Sequence, residues 1–204
     1  MSGVQRLEEP QRHTAARQTK KATRPFEETD RREMEETSLY DSFSLYGSGV
    51  TLITTNDGGI DRFFVAASVL TASVNPFTVA VSVGRYREAL PAIAGGAPWA
   101  LSVLTADHMG LVENLTSPMT GDLTSDDIHE RRLDMLAKAG AKRSPEGTLW
   151  LPDALVTLWC STLSLTPVND QFLLVGEVAR GSSRGSGTPL LRWNRAFHTL
   201  HPRM

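Results

Sequence analysis

Cysteine is nearly absent: Cys160 stands alone among 204 residues. No intrachain disulfide framework can form, and a reducing cytoplasm is the expected setting. No apolar run approaches the length of a membrane span. The first residues are polar and lack the apolar stretch of a signal peptide, so none is expected. Charge is nearly balanced, with a formal net charge of -2, so nothing global favours nucleic acid or an acidic membrane surface. There is no Gly-x-Ser-x-Gly elbow and no Gly-x-x-x-x-Gly-Lys-Ser/Thr loop, which argues against an α/β-hydrolase and a P-loop nucleotidase. His13, His108, His129, His198 and His201 are scattered. Without carboxylate or cysteine at ligand spacing, they argue against a metal site. Cys160 itself sits among apolar neighbours, the environment of an inert core thiol.

Two textures are present. Residues 1–37 are rich in Arg, Lys, Glu, Gln and Thr and nearly free of large apolar side chains. Such a segment buries too little apolar surface to offset its ordering entropy, and reads as a flexible tail with a short helix near Asp30–Glu36. Residues 38–204 read as one domain. Val50–Thr55 is β-branched and runs into Asn56-Asp57-Gly58-Gly59, a strand and hairpin turn. Phe63–Ala67 is the return strand. Thr71–Val74, Phe77–Val83, Trp99–Leu104, Leu149–Leu151, Ala154–Leu165, Gln171–Arg180, Pro189–Trp193 and Ala196–Leu200 read as further strands. Asn75-Pro76 and Pro167–Asp170 break them. Short helices are expected at Glu88–Ile93, Asp107–Leu115 and Thr124–Ala139, the last capped by Ser125. Many strands with few helices indicate a mainly β, antiparallel barrel in place of alternating βαβ units.

Local chemistry concentrates between Val50 and Arg87. Small residues cluster at Val65-Ala66-Ala67-Ser68, directly after a strand. They allow a ligand close to backbone N–H groups, and Ser68 adds a hydroxyl, which suits phosphate oxygens or the polar edge of a planar ring. Downstream, Gly84-Arg85-Tyr86-Arg87 puts two arginines at i and i+2. They suit a phosphate, or stand as solvated arginines of a turn; both readings are open. Gly181–Gly187 reads as a mobile hairpin loop, because Pro189 and a strand follow it where a phosphate cradle would open a helix.

From about Leu45 to Leu200 the chain resembles the flavin reductase-like family of FMN-binding split-barrel proteins. Val65-Ala-Ala-Ser-Val-Leu-Thr-Ala-Ser-Val-Asn-Pro76 is similar to that family's Thr-Ala-Ser-Ser…Asp-Pro-Pro block. Val79–Arg87 resembles its strand ending in Asn-Arg-Ser-Ser-x-Thr. Trp99–Leu104 with Ala106-Asp107-His108, Asn169-Asp170-Gln171…Gly176-Glu177-Val178, and Pro189–Arg192 with Arg195–Phe197 follow in the family's order. The resemblance implies an antiparallel split β-barrel, a homodimer, and an NAD(P)H:flavin oxidoreductase. It would supply reduced FMN or FAD to a partner monooxygenase, with NADH or NADPH as hydride donor and no metal. It implies flavin contacts from Val65, Ala66, Ala67, Ser68, Ser82, Arg85, Arg87 and His108. Asp170 and Gln171 would border the nicotinamide, Gln171 standing where relatives commonly carry histidine. No acid or base is implied, since hydride transfer rests on positioning two rings. The hydroxyl-poor flavin block implies a loosely held flavin. The alternative is a non-catalytic flavin or haem-binding barrel, with His108 and His198 as axial ligands.

Overall fold

The computed structural model describes residues 36–200. The tail expected over residues 1–37 lies, but for its last two residues, outside them. In chain order the elements are α1 (Glu36–Phe43), β1 (Ser48–Gly49), β2 (Thr51–Asp57), β3 (Ile60–Ala66), β4 (Val69–Val74), β5 (Phe77–Gly84) and α2 (Leu90–Ala94). There follow β6 (Trp99–Val103), α3 (Met109–Thr116), α4 (Ser125–Lys138), β7 (Lys142–Arg143), β8 (Leu149–Trp150), β9 (Val156–Val168), β10 (Gln171–Ser183), β11 (Leu190–Trp193) and β12 (Ala196–Thr199). Among the described residues no helix is long and apolar enough to cross a membrane.

Seven strands form one antiparallel sheet in the order β3-β2-β6-β9-β10-β5-β4. It curls until β3 comes against β5. The β2–β3 turn is the expected one: Gly58 and Gly59 take φ of 57° and 99°, which glycine adopts without steric cost. Alternation decides which side chains go inward. On β5, Val79, Val81 and Val83 point into the barrel, where they meet Ile53, Phe64, Trp99, Leu101, Cys160 and Leu174. The short helix α2 closes this core with Leu90 and Ile93. The Trp99 indole N–H donates to Thr162 Oγ1 at 3.3 Å, and the Thr162 hydroxyl donates to the Ile93 carbonyl at 3.3 Å, tying sheet to plug. Gly176 lies beside Trp99, and a Cβ there would fall inside the indole ring. Burial pushes the Cys160 thiol up to about 12, so the inert reading of that residue holds.

A second core covers the outer face of β2. Val50 and Leu52 pack with Leu104, Val112 and Leu115 of the α3 region and Leu136 of α4. Leu52 therefore faces out and Ile53 in, which explains why the Val50–Thr55 run is apolar without strict alternation: both faces of this strand are covered. A separate sheet, β1-β11-β12, stands beside the barrel.

Three expectations need correction. The α4 cap is Thr124, not Ser125: Thr124 Oγ1 accepts from Asp127 N–H at 3.1 Å while Asp127 Oδ2 accepts from Thr124 N–H at 2.9 Å. Strand β9 runs on through Pro167, which pairs with Phe172. Beyond Cys160 the other edge of β9 has no strand against it, so a missing N–H costs nothing there. Strand β10 extends to Ser183, so the expected Gly181–Gly187 loop is shorter by three residues.

Candidate functional site

Strands β3 and β4 are the two edges of the curled sheet. Ala67 and Ser68 are the link between them, so the expected small-residue segment is where the chain crosses the split of the barrel. Each edge strand leaves one side of its backbone without a ladder partner. Against this crossing lies a cavity of about 600 Å³, within the range of small-molecule sites. One wall belongs to the large sheet: Ala67, Ser68, Leu70, Ala80, Ser82 and Leu173. The other is built by the small sheet and the segment before it: Tyr40, Phe43, Tyr46, Ser48, Arg192 and Arg195.

The sequence-predicted residues fall into three places. Ala67, Ser68 and Ser82 line the cavity. Ser82 N–H donates to the Ser68 carbonyl at 3.0 Å, which locks the two hydroxyl-bearing residues side by side. Neither hydroxyl has a hydrogen-bond partner among the described residues, so both are available to a ligand. Val65 and Ala66 do not line the cavity: Val65 packs outward on the second core and Ala66 inward on the first.

Arg85, Arg87, Asp170 and Gln171 gather at a second place, where the β9–β10 turn meets the end of β5. Arg85 N–H donates to the Asp170 carbonyl at 3.1 Å, and its guanidinium to the Asn169 carbonyl at 2.6 Å. Gln171 Nε2 donates to Asp170 Oδ2 at 3.0 Å. Arg87 N–H closes the turn on the Gly84 carbonyl at 3.1 Å. Gln171 pairs with Gly84 and Leu173 with Ser82, so by alternation Gln171 shares the outer face with the cavity wall. Neither arginine lines the cavity itself.

His108 is in a third place, apart from both. Its buried Nδ1 accepts from Thr105 N–H at 3.2 Å and contacts Thr105 Oγ1 at 2.8 Å, a capping box on the single 3-10 turn Ala106–His108 that leads into α3. Burial pushes its pKa below the ordinary histidine value. His198 lies edge-on to Trp193, with Nε2 buried and unpartnered. Neither imidazole lines the cavity. Among the described residues no group of three or more metal-ligating side chains is found.

Residues 43–201 match the flavin reductase like domain. The chain belongs to this family. Relatives of this member include the actinorhodin polyketide dimerase of Streptomyces coelicolor, 26% identical over 163 residues, or 79% of this chain and 85% of that protein. They also include an NADH-dependent FMN reductase of Streptomyces nodosus subsp. asukaensis, 26% identical over 78% of this chain and 82% of that one. Among solved structures, the flavin reductase component of a bacterial two-component tryptophan halogenase superposes with a TM-score of 0.68 at 19% identity, over 83% of this chain and all of that one. In this family member the sequence reading missed the second wall of the cavity. Tyr40 precedes the matched span, and Arg192 and Arg195 arrive through the Ser48–Arg192 pairing of β1 with β11, which leaves no local signal.

Proposed function

We propose that the chain is an NADH-dependent flavin reductase that takes FMN at the Ala67–Ser68 crossing and hands reduced flavin to a separate oxygenase component. The observation that carries this reading is the pair of unpartnered hydroxyls, Ser68 and Ser82, set among small and apolar residues at the split of the barrel. The residues present fit a flavin: its planar ring needs an apolar slot with a few polar contacts on one edge. Bound flavin would supply the hydride-accepting ring. The chain's own work is positional. Ala67 and Ala80 keep the wall low, Leu70 and Leu173 exclude water, and the two hydroxyls with the edge backbone orient the ring. Gln171, on the same outer face, and the Asp170 carboxylate it donates to border the nicotinamide in this reading. Few side-chain contacts go with a flavin that arrives and leaves as a substrate. The similarity to a named NADH-dependent FMN reductase and to a halogenase reductase component supports donor, flavin and an oxygenase partner. We also propose that the chain works as a homodimer in the cytoplasm. Exposed Leu70, Val74 and Phe77 along the β4–β5 wing support the dimer.

The test is steady-state oxidation of NADH and NADPH, each crossed with added FMN and FAD. NADH oxidation that depends on added FMN is expected. A stable flavin or haem complex without turnover would replace the reading by the non-catalytic one.

A further inference from the structure

We propose that Arg192 and Arg195 hold the phosphate of the flavin; this rests on the reductase reading above. Among the described residues the cavity lining holds no carboxylate, and its two charged residues are these arginines. Arg192 has no ion-pair partner among the described residues and Arg195 is offset by the single carboxylate of Asp41, so this wall keeps a net positive charge that favours an anion. The planar fork of arginine donates two parallel N–H bonds to phosphate oxygens. The arginines that the sequence puts forward are placed elsewhere. Arg85 spends its guanidinium on the Asn169 carbonyl, and Arg87 lies outside the lining.

The two cavity arginines are prepared differently. Arg192 has no carboxylate partner among the described residues and lies over the Phe197 ring at 5.6 Å, so its charge is available. Arg195 pairs with Asp41 of α1. It also occupies a turn position with φ of 64°, next to Asn194 at 48°. Hairpin turns of this kind favour glycine at that place, and a long side chain there is a cost that a placed guanidinium explains. Asn194 N–H donates to the Ser44 carbonyl at 2.8 Å, so the same turn fixes the aromatic segment that forms the second wall. A phosphate beside Arg192 and Arg195 would leave the ring to the Ser68–Ser82 wall.

The experiment measures flavin binding to the full chain without nicotinamide nucleotide, comparing FMN with riboflavin, which lacks the phosphate. The wild type should prefer FMN. Arg192→Gln and Arg195→Gly should each weaken FMN about tenfold, the size of a lost charge-assisted bond, and leave riboflavin unchanged. Glycine accepts the positive φ, so Arg195→Gly should keep the melting temperature, which separates lost binding from lost fold. Retention of the FMN preference in both variants overturns the proposal while leaving the reductase reading intact. Equal weakening of FMN and riboflavin also overturns it, as does loss of the preference in Arg87→Gln alone. Unchanged FMN affinity with a raised KM for NADH, using riboflavin as acceptor, would move the site to the nucleotide's phosphates and overturn it too. A wild type that binds neither flavin overturns the reductase reading instead.

Discussion

On β5, Val79, Val81 and Val83 are sealed inside the barrel, whereas Phe77, at the start of the same strand, stands exposed opposite Val74 of β4. The inner valines meet partners from five other strands and from α2. Leu70, Leu163, Val168 and Leu173 on the same wing join Phe77 in exposure. One half of the sheet is thus completed by the chain itself, and the other half presents apolar surface that no described residue covers. Exposed apolar side chains gathered on one half of a sheet favour an interaction site there. The barrel interior answers to stability; in the proposed reading the wing, with the cavity at its foot, answers to assembly and binding.

The sharpest way to break this contrast is inside the barrel. Trp99→Ala removes the largest fully buried side chain and its bond to Thr162, and should cost about 3–5 kcal/mol in urea unfolding. Gly176→Ala should be of the same class, because the added Cβ meets the indole with no room to move. Loss of stability below about 1 kcal/mol in both would mean that the barrel is not the unit that holds the fold.

The wing should respond in the opposite sense. Phe77→Asp places a charge on an exposed residue and should change the stability of the single chain by no more than about 0.5 kcal/mol. Under the homodimer proposal it should convert a dimer into a monomer in sedimentation velocity. An unchanged mass in solution would remove Phe77 from any interface between copies.

The same contrast explains what was legible in the sequence. Local patterns placed the β2–β3 hairpin through Asn56-Asp57-Gly58-Gly59, the β5 alternation and α4, because each depends on neighbours in the chain. Pro167 looked like a break because the sequence does not say that β6 pairs with β9 only from Val156 to Cys160. At the site, Ala67 and Ser68 were visible as small or hydroxylic residues after a strand, and Ser82 came through the family resemblance. Arg192 and Arg195 were not, since they reach the cavity by pairing β11 with a two-residue strand nearly 150 positions earlier. Arg85 and Arg87 drew attention by local spacing, and the β9–β10 turn, 84 positions on, gives Arg85 another task. His108 came forward as a ring neighbour through the resemblance of Ala106-Asp107-His108 to a family block. Its three-residue spacing to Thr105 makes it a cap instead.

That cap yields the smallest expected effect, and the one most clearly tied to the barrel side of the comparison. Burial disfavours the charged imidazole of His108, and Thr105 N–H requires Nδ1 to accept, so the folded state holds the ring neutral. The pKa is lower folded than unfolded, and the unfolded chain therefore binds a proton first as pH falls. The stability from the neutral ring is full above the unfolded value of about 6.5 and declines as pH drops below it toward the depressed folded value. Melting temperature should thus fall between pH 7 and pH 5 in the wild type, and His108→Gln should flatten that limb while lowering stability at pH 7 by about 1 kcal/mol, the size of a lost helix cap. FMN affinity of the variant at pH 7 should match the wild type, because the imidazole lines neither wall of the cavity. A variant that keeps the pH limb but loses flavin would put His108 at the ring after all.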